Sequence, residues 1–196
     1  AWSGGDAIWL APDEAAEFTL SSLPQNRWQV WHDLQDLQID LIVQPAENRR
    51  KKMLLADMDS TMIRQECVDE LADHAGVGAR VKDITARAMN GELDFEEALH
   101  ERVALLKGQP AAIIDQVLAE RIDLMAGGKV LLATMRENGA YAALVSGGFT
   151  AFSAAIAAEL GFDEHRANEL LVTDGALSGK VALPVLGRQA KVDALE

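Results

Sequence analysis

Residues 53–61 read Met53-Leu54-Leu55-Ala56-Asp57-Met58-Asp59-Ser60-Thr61, an apolar run that stops at two acidic residues. A continuous apolar run of this kind is typical of a strand that is covered on both faces, as in a parallel sheet. Asp57 and Asp59 then stand at the carboxyl end of the strand, where ligand sites form in open α/β sheets. The stretch therefore predicts an α/β fold with a ligand site at this edge of a parallel sheet.

The spacing of Asp57 and Asp59 allows both side chains to serve one site, because residues i and i+2 of an extended segment point the same way. Two carboxylates in contact are tolerated where a cation binds or where one of them is protonated. A hard divalent ion with oxygen ligands, Mg²⁺ by preference, would supply that cation. Asp57 could then attack a phosphorus atom and form an aspartyl-phosphate, while Asp59 acts as general acid and base. An ordinary turn after the strand is the alternative interpretation.

A second candidate element is Ser146-Gly147-Gly148, which follows an apolar run at 141–145 and precedes a helix predicted over 149–160. The serine hydroxyl and the N–H groups that the glycines expose could bind an anion, although a plain strand-to-helix turn is the alternative. Lys191 could neutralise phosphate oxygens in a transition state, or be an ordinary surface lysine. One acidic and one anion-binding element at the ends of parallel strands fit a phosphoryl-transfer centre.

Between these two elements, residues 66–125 follow a helical pattern that no good strand interrupts. Asp94 followed by Glu97 is typical of a capping box, and the helix that it opens is predicted over 95–107. Pro110 indicates the first turn of another helix. The block therefore predicts a separate small helical unit.

Two charged residues of this helical unit could reach a ligand. Arg102 falls on the edge of its helix's apolar stripe, so it either snorkels to solvent or faces a closed cleft and pairs with a carboxylate. Glu66 would lie at the entrance to the unit, where it either complements the helix dipole or takes part in the site. The stripe consists of Phe95, Leu99, Val103 and Leu106.

The composition is that of a globular, acidic protein. Hydrophobic residues make up 49% and charged residues 25% of the 196 positions, which excludes a disordered or collagen-like chain. The formal net charge of -13 has the wrong sign for a general nucleic-acid or anionic-membrane binder, so we expect neither partner. The single cysteine, Cys67, excludes an internal disulfide framework and fits a reducing compartment such as the cytoplasm.

No targeting segment is evident. The first residues lack the basic start and apolar core of a signal peptide. The charge-free stretch 139–158 is rich in Ala and Gly and is broken by glycines, so it does not predict a membrane span. We interpret it as a buried strand, a glycine turn and a buried helix.

Residues 1–45 differ from the rest of the chain because they contain all four tryptophans. A short apolar run at 39–43 predicts a strand. The polar and basic connector at 47–52 indicates a domain boundary. Near the other end, segments 170–172 and 180–183 predict a hairpin. The last residues, from Lys191 onward, predict the start of a helix.

Together these motifs resemble a known family. Residues 57–61 resemble the first motif of the haloacid dehalogenase-like phosphatases, Ser146-Gly147-Gly148-Phe149 resembles the second, and Lys191 stands where the third is expected. The resemblance covers about residues 50–196 and is closer still to the phosphoserine phosphatases. The stretches that carry this closer resemblance are 56–72, 88–91, 94–96 and 102–108.

The resemblance implies a Rossmann-like parallel core with a helical cap inserted after the first strand. The core would comprise 46–63 and 128–196, the cap 64–127, and a partial N-terminal domain 1–45, which could be the remnant of an ACT-type domain. The implied reaction is hydrolysis of O-phospho-L-serine to L-serine through an aspartyl-phosphate, the last step of serine biosynthesis in the cytoplasm.

The resemblance also implies roles for individual residues. Mg²⁺ would bind through the Asp57 carboxylate and the Asp59 backbone carbonyl. Glu66 would hold the substrate ammonium group and Arg102 its carboxylate. The remaining contacts implied are Ser146, Gly147 and Lys191 at the phosphate, with Met89 and Phe95 on the cap side.

A fourth family motif, similar to Gly-Asp-Gly-x-x-Asp, is expected downstream of Lys191 and does not occur before Glu196. We therefore expect this chain to be C-terminally incomplete and to bind Mg²⁺ weakly. Two alternative functions remain open. The protein could transfer the phosphoryl group to an alcohol instead of water, or the chain could be a non-catalytic fragment that binds an amino acid or phosphate. A homodimer is also left open.

Overall fold

The computed structural model describes residue 2 and residues 4–195, and these form two units, Ala1–Arg50 and Lys51–Glu196. The second unit is a mixed α/β structure around a parallel sheet, so the predicted fold class is confirmed. No described residue of the first unit belongs to that sheet.

The first unit consists of small elements without a fully buried described side chain. Strands β1 (Ile8–Ala11) and β2 (Ala15–Glu17) pair in antiparallel fashion, and helix α1 (Arg27–Gln35) follows them. The strand predicted over 39–43 is wrong. That segment has no regular structure and Ile42 is 80% exposed, because no described strand lies beside it to take up its backbone hydrogen bonds.

The sheet of the second unit is built from β3 (Met53–Ala56), β4 (Tyr141–Phe149) and β5 (Glu164–Asn168), in the order β3-β4-β5. Both pairings are parallel, and Ala56 at the end of β3 is aligned with Leu144 of β4. The carboxyl ends of these strands therefore lie at one edge of the sheet. The apolar run 53–56 forms the strand that it predicts.

Two helices pack close to the central strand of this sheet. They are α6 (Gly128–Glu137) and α7 (Thr150–Leu160), and α7 confirms the helix predicted over 149–160. Leu132 of α6 and Phe152 of α7 are fully buried and belong to the core. The charge-free stretch 139–158 thus divides between β4 and α7. Among the described residues, no helix is both long and apolar enough to cross a membrane.

The predicted helical block is made of α2 (Cys67–His74), α3 (Gly78–Met89), α4 (Phe95–Ala104) and α5 (Ile113–Arg121). The capping box of α4 is confirmed. The Glu97 N–H donates to Asp94 Oδ1 at 2.8 Å, and the Asp94 N–H donates to Glu97 Oε2 at 3.0 Å. These bonds satisfy two backbone donors at the start of the helix that carries Arg102.

The segment between α4 and α5 is not helical, which corrects two predicted helix ends. Helix α4 stops at Ala104 instead of residue 107, and α5 begins at Ile113 instead of Pro110. The reason is pairing with a hairpin. The Gly108 N–H donates to the Leu177 carbonyl at 2.8 Å, and the Ala111 N–H donates to the Gly175 carbonyl at 2.9 Å.

That hairpin consists of β6 (Leu170–Thr173) and β7 (Ala176–Val181), as predicted, but its second strand begins earlier than residue 180. The turn falls at Asp174 and Gly175, which both have positive φ, at 51° and 76°. Such a two-residue turn matches the twist of antiparallel strands. Helix α8 (Gln189–Asp193) follows, so Lys191 lies inside a short helix.

Candidate active site

The first acidic residue after β3, Asp57, has a partner for each carboxylate oxygen. The Met58 N–H donates to Oδ1 at 2.8 Å, and the Lys191 ammonium donates to Oδ2 at 2.5 Å. Lys191 therefore comes from the far end of the chain to the end of β3. The pairing places one cation directly beside the candidate nucleophile.

The second acidic residue, Asp59, links the end of β3 to β4. Its Oδ1 accepts the Cys67 N–H at 2.8 Å, and its Oδ2 accepts the Ser146 hydroxyl at 3.2 Å. The Ser146 oxygen in turn accepts the Gly148 N–H at 2.9 Å. The acidic and the anion-binding elements therefore form one hydrogen-bonded group at one sheet edge.

The glycine turn predicted at Ser146-Gly147-Gly148 is wrong, because β4 continues through these residues to Phe149. Neither glycine has a positive φ. Glycine is needed instead for close approach. A Cβ at Gly148 would lie 2.6 Å from Asp59 Oδ2, and one at Gly147 would lie 2.9 Å from Phe95 Cζ.

A cavity of about 330 Å³ opens at this edge of the sheet. Eight of the nine site residues predicted from the sequence line this cavity. The ninth, Met89, does not line it and is 84% exposed. The lining residues are Asp57, Asp59, Glu66, Val68, Phe95, Leu99, Arg102, Ser146, Gly147, Gly148, Phe149, Gly187, Arg188 and Lys191. The cavity therefore has acidic, basic and apolar walls.

Glu66 lies at the acidic side of the cavity. Burial is the main cause that raises the pKa of its carboxyl, and the negative charges of Asp59, Asp69 and Asp57 raise it further. The Ser60 hydroxyl donates to Glu66 Oε1 at 2.8 Å, which opposes this shift. Glu66 would be stabilised as a carboxylate by a cationic group of a ligand.

Arg102 brings a positive charge from α4 to the same cavity. Its Nε donates to the Ala98 carbonyl at 3.1 Å, which holds the side chain along its own helix. Burial lowers the pKa of the Arg102 guanidinium, while the charges of Asp69 and Glu66 raise it. The structure favours the alternative in which Arg102 faces a cleft over the one in which its side chain snorkels to solvent.

Sequence reasoning missed two polar residues, one that lines the cavity and one that is hydrogen-bonded to the backbone of Gly147. Arg188 lines the cavity, and its spacing of three residues from Lys191 was a signal that it could share a helix face with it. Asn168 is only 2% exposed and ends β5, a strand that the sequence did not reveal. Without the strand, no signal distinguished this asparagine from a loop residue.

The donors at the site fit a hard divalent cation. Asp57 and Asp59 offer carboxylate oxygens, and Mg²⁺ in proteins commonly takes one or two carboxylates while water and phosphate complete its shell. Within the part of the chain that the structure describes, no group of three or more His, Cys, Asp or Glu side chains could hold a metal ion. A metal here would therefore need ligands besides these two side chains.

Known proteins resemble this chain over most of its length. Residues 54–196 match the haloacid dehalogenase-like hydrolase family. The phosphoserine phosphatase of Archaeoglobus fulgidus is 40% identical over 172 residues, which cover 87% of this chain and 50% of that protein. The chain spans about half the length of the first curated relatives it matches.

Two solved structures are similar in fold and sequence. One, a phospho-aspartyl intermediate analogue of phosphoserine phosphatase, has a TM-score of 0.62 and 41% identity, and the match covers 68% of this chain and 63% of that chain. The other, a hydrolase of the same family from Salmonella enterica serovar Typhi, has a TM-score of 0.86 and 27% identity. That match covers 99% of this chain and 68% of the other.

Proposed function

This chain belongs to the haloacid dehalogenase-like hydrolase family, and on that premise we propose that it carries the nucleophile of a phosphatase that hydrolyses O-phospho-L-serine. The observation that supports this proposal most directly is a pair of hydrogen bonds in one cavity, from Lys191 to Asp57 and from Ser146 to Asp59. Curated relatives named phosphoserine phosphatase support the choice of substrate. The products are L-serine and inorganic phosphate, which suits an enzyme of serine synthesis in the cytoplasm.

Asp57 is the proposed nucleophile. One carboxylate oxygen attacks the phosphorus atom, the bond from phosphorus to the serine oxygen breaks, and an aspartyl-phosphate forms. Lys191 stabilises the negative charge of the phosphoryl oxygens because its ammonium lies beside Asp57. Water then attacks the phosphorus atom and releases phosphate, which restores the carboxylate.

Asp59 is the proposed proton carrier. It would donate a proton to the leaving serine oxygen and later take a proton from the attacking water. Its hydrogen bonds from the Cys67 N–H and the Ser146 hydroxyl fix the carboxyl group at the cavity wall. Ser146 and Gly147 would bind phosphoryl oxygens.

A divalent metal is expected because proteins of this family generally use one, and we propose Mg²⁺. The Asp57 carboxylate and the Asp59 backbone carbonyl would hold it. A bound divalent cation would reduce the repulsion between the incoming phosphate and the two aspartates.

The amino-acid part of the substrate would occupy the side of the cavity formed by α2 and α4. Glu66 would bind the ammonium group, Arg102 the carboxylate, and Phe95 would cover the apolar carbon atoms. A zwitterion matches one anionic and one cationic wall group. We propose residues 64–127 as the cap and 46–63 with 128–196 as the core.

The proposal is tested by phosphate release from O-phospho-L-serine, with and without Mg²⁺, using protein expressed from its complete reading frame. We expect turnover that needs the metal and that disappears in Asp57→Asn. Arg80→Gln, on the exposed surface of α3, is a matched control that should keep full activity. Metal-independent turnover, or turnover that survives Asp57→Asn, would contradict the proposal.

A further inference from the structure

We propose that Arg188 is a phosphate-binding residue that supplies the second positive charge to the phosphoryl group. The inference rests on the proposed function, since it concerns the same cavity, and adds a residue that the sequence motifs do not mark. Arg188 lines the cavity next to Gly187 and Lys191. Observations about its position, its anchorage, its aromatic neighbour and its charge support the role.

The position of Arg188 follows from the local helix. It has helical backbone angles, with φ -55° and ψ -36°, and stands directly before α8. Residues three apart on a helix lie on the same face, so Arg188 and Lys191 project to the same side. Lys191 reaches the Asp57 carboxylate from that side.

The anchorage comes from Asn168, which joins this segment to β4. Its amide nitrogen donates to the Gly147 carbonyl at 2.9 Å and to the Leu186 carbonyl at 3.1 Å, and its oxygen accepts the Leu186 N–H at 2.7 Å. One buried side chain thus holds Leu186, two residues before Arg188, against Gly147. Arg188 is therefore tied to the wall formed by Ser146 and Gly147.

Phe95 gives an independent indication of the same neighbourhood. A Cβ added at Gly147 would lie 2.9 Å from the Phe95 ring, and a Cβ added at Gly187 would lie 3.4 Å from the same ring. The residue directly before Arg188 and the central residue of the anion-binding element therefore lie beside the same ring.

The charge balance of the cavity explains why a second cation is useful. Three carboxylates line it, on Asp57, Asp59 and Glu66, against three cations, on Arg102, Arg188 and Lys191. Lys191 is paired with Asp57, and the Arg102 side chain donates a hydrogen bond to the Ala98 carbonyl. Arg188 is the lining cation whose side chain has no hydrogen bond or ion pair with any described residue.

The chemistry of arginine fits this role. A phosphate monoester carries a charge of about -1.5 to -2 at neutral pH. Guanidinium binds phosphate oxygens through two parallel hydrogen bonds, which an ammonium group cannot reproduce. Arg188 would therefore bind two non-bridging oxygens while Lys191 stays beside the nucleophile.

The test compares two phosphate monoesters and inorganic phosphate in Arg188→Gln, Arg188→Lys and the control Arg80→Gln. O-phosphoethanolamine lacks the carboxylate of O-phospho-L-serine and shares its phosphate. For Arg188→Gln we expect KM to rise about tenfold or more for both esters, with kcat changing less. Binding of inorganic phosphate, measured by calorimetry, should weaken by a similar factor, and Arg188→Lys should recover part of it.

Two results would overturn the inference. If Arg188→Gln raises KM for O-phospho-L-serine alone, the arginine binds the substrate carboxylate instead. If binding of inorganic phosphate is the same in Arg188→Gln and Arg80→Gln, Arg188 does not bind phosphate. Failure of the proposed function has a different signature, because the unsubstituted protein would then release no phosphate from either ester, and the calorimetric comparison would still decide the role of Arg188.

Discussion

The Ser146 hydroxyl donates a hydrogen bond to Asp59 Oδ2 at 3.2 Å, although the two residues lie 87 positions apart in the sequence. This bond joins the segment that follows β3 to the C-terminal part of β4, and the two strands are neighbours in the parallel sheet. It places an acidic group and a hydroxyl that can bind an anion in the same cavity. The predicted phosphoryl-transfer centre depends on this neighbourhood.

Arg102→Ala tests the assignment of the substrate carboxylate. We expect KM for O-phospho-L-serine to rise by about tenfold or more, because a charge-assisted hydrogen bond is lost. Phosphate release from O-phosphoethanolamine should change little, since that ester has no carboxylate. Equal losses for the two esters would show that Arg102 does not recognise the carboxylate. The measurement is the ratio of kcat/KM for the two esters.

Gly148→Ala tests the close approach between β4 and Asp59. The added Cβ would lie 2.6 Å from Asp59 Oδ2, so one of them must move and the Ser146 hydrogen bond is disturbed. We expect kcat to fall by about tenfold or more. Gly128→Ala is the matched control, because its Cβ would meet only the flexible Met62 side chain, at 3.3 Å. Similar kinetics in the two variants would refute this reading of Gly148.

Asn168→Ala tests the connection between β4 and the segment before α8. The variant loses three hydrogen bonds of a buried side chain, so we expect the free energy of unfolding to fall by about 2–4 kcal/mol. KM should also rise, because Arg188 loses its anchorage. Asn90→Ala, on an exposed residue after α3, is the control. Chemical denaturation and steady-state kinetics measure the two effects, and unchanged values in both would exclude the anchoring role.

Glu66→Gln tests the electrostatic state of the acidic side of the cavity. The pKa of Glu66 is raised in the folded protein, so folding takes up protons. The folded state therefore loses stability as pH rises from the unfolded pKa through the folded pKa. Glutamine removes this loss and can still accept the Ser60 hydroxyl.

We expect the Tm of Glu66→Gln to exceed that of the unsubstituted protein at pH 7, and the difference to shrink below about pH 4. Activity toward O-phospho-L-serine should fall, because the ammonium group loses its carboxylate partner. Thermal unfolding at both pH values is the measurement. A Tm at pH 7 equal to or below that of the unsubstituted protein would argue against a destabilising charge on Glu66.

The apolar run that forms β3 was predictable because burial on both faces leaves a continuous hydrophobic signal. The capping box of α4 was predictable because the two residues that form it, Asp94 and Glu97, are only three positions apart in the sequence. Strand β5 was not predictable. It lies at the edge of the sheet, where some of its side chains face solvent, and it begins with the polar residues Glu164-His165-Arg166, so its sequence shows no apolar pattern. Asn168 was missed with it.

The site itself was partly predictable. Asp57, Asp59 and Ser146 were identified because each follows an apolar run that ends at the same sheet edge. The extended conformation of the residues around Gly147 was not predictable, because the need for glycine comes from the Phe95 ring and not from local backbone angles. Arg188 was missed because a charged residue before a short helix looks like a surface residue without its tertiary neighbours.

The most direct test of the central claim is to identify the residue that carries phosphate during turnover. Protein expressed from its complete reading frame would be mixed with labelled O-phospho-L-serine, quenched in acid, reduced with borohydride and mapped by mass spectrometry. Reduction converts an aspartyl-phosphate into homoserine, so we predict homoserine at position 57 and none in Asp57→Asn. Phosphate release without modification of Asp57, or with label on Ser146, would contradict the account.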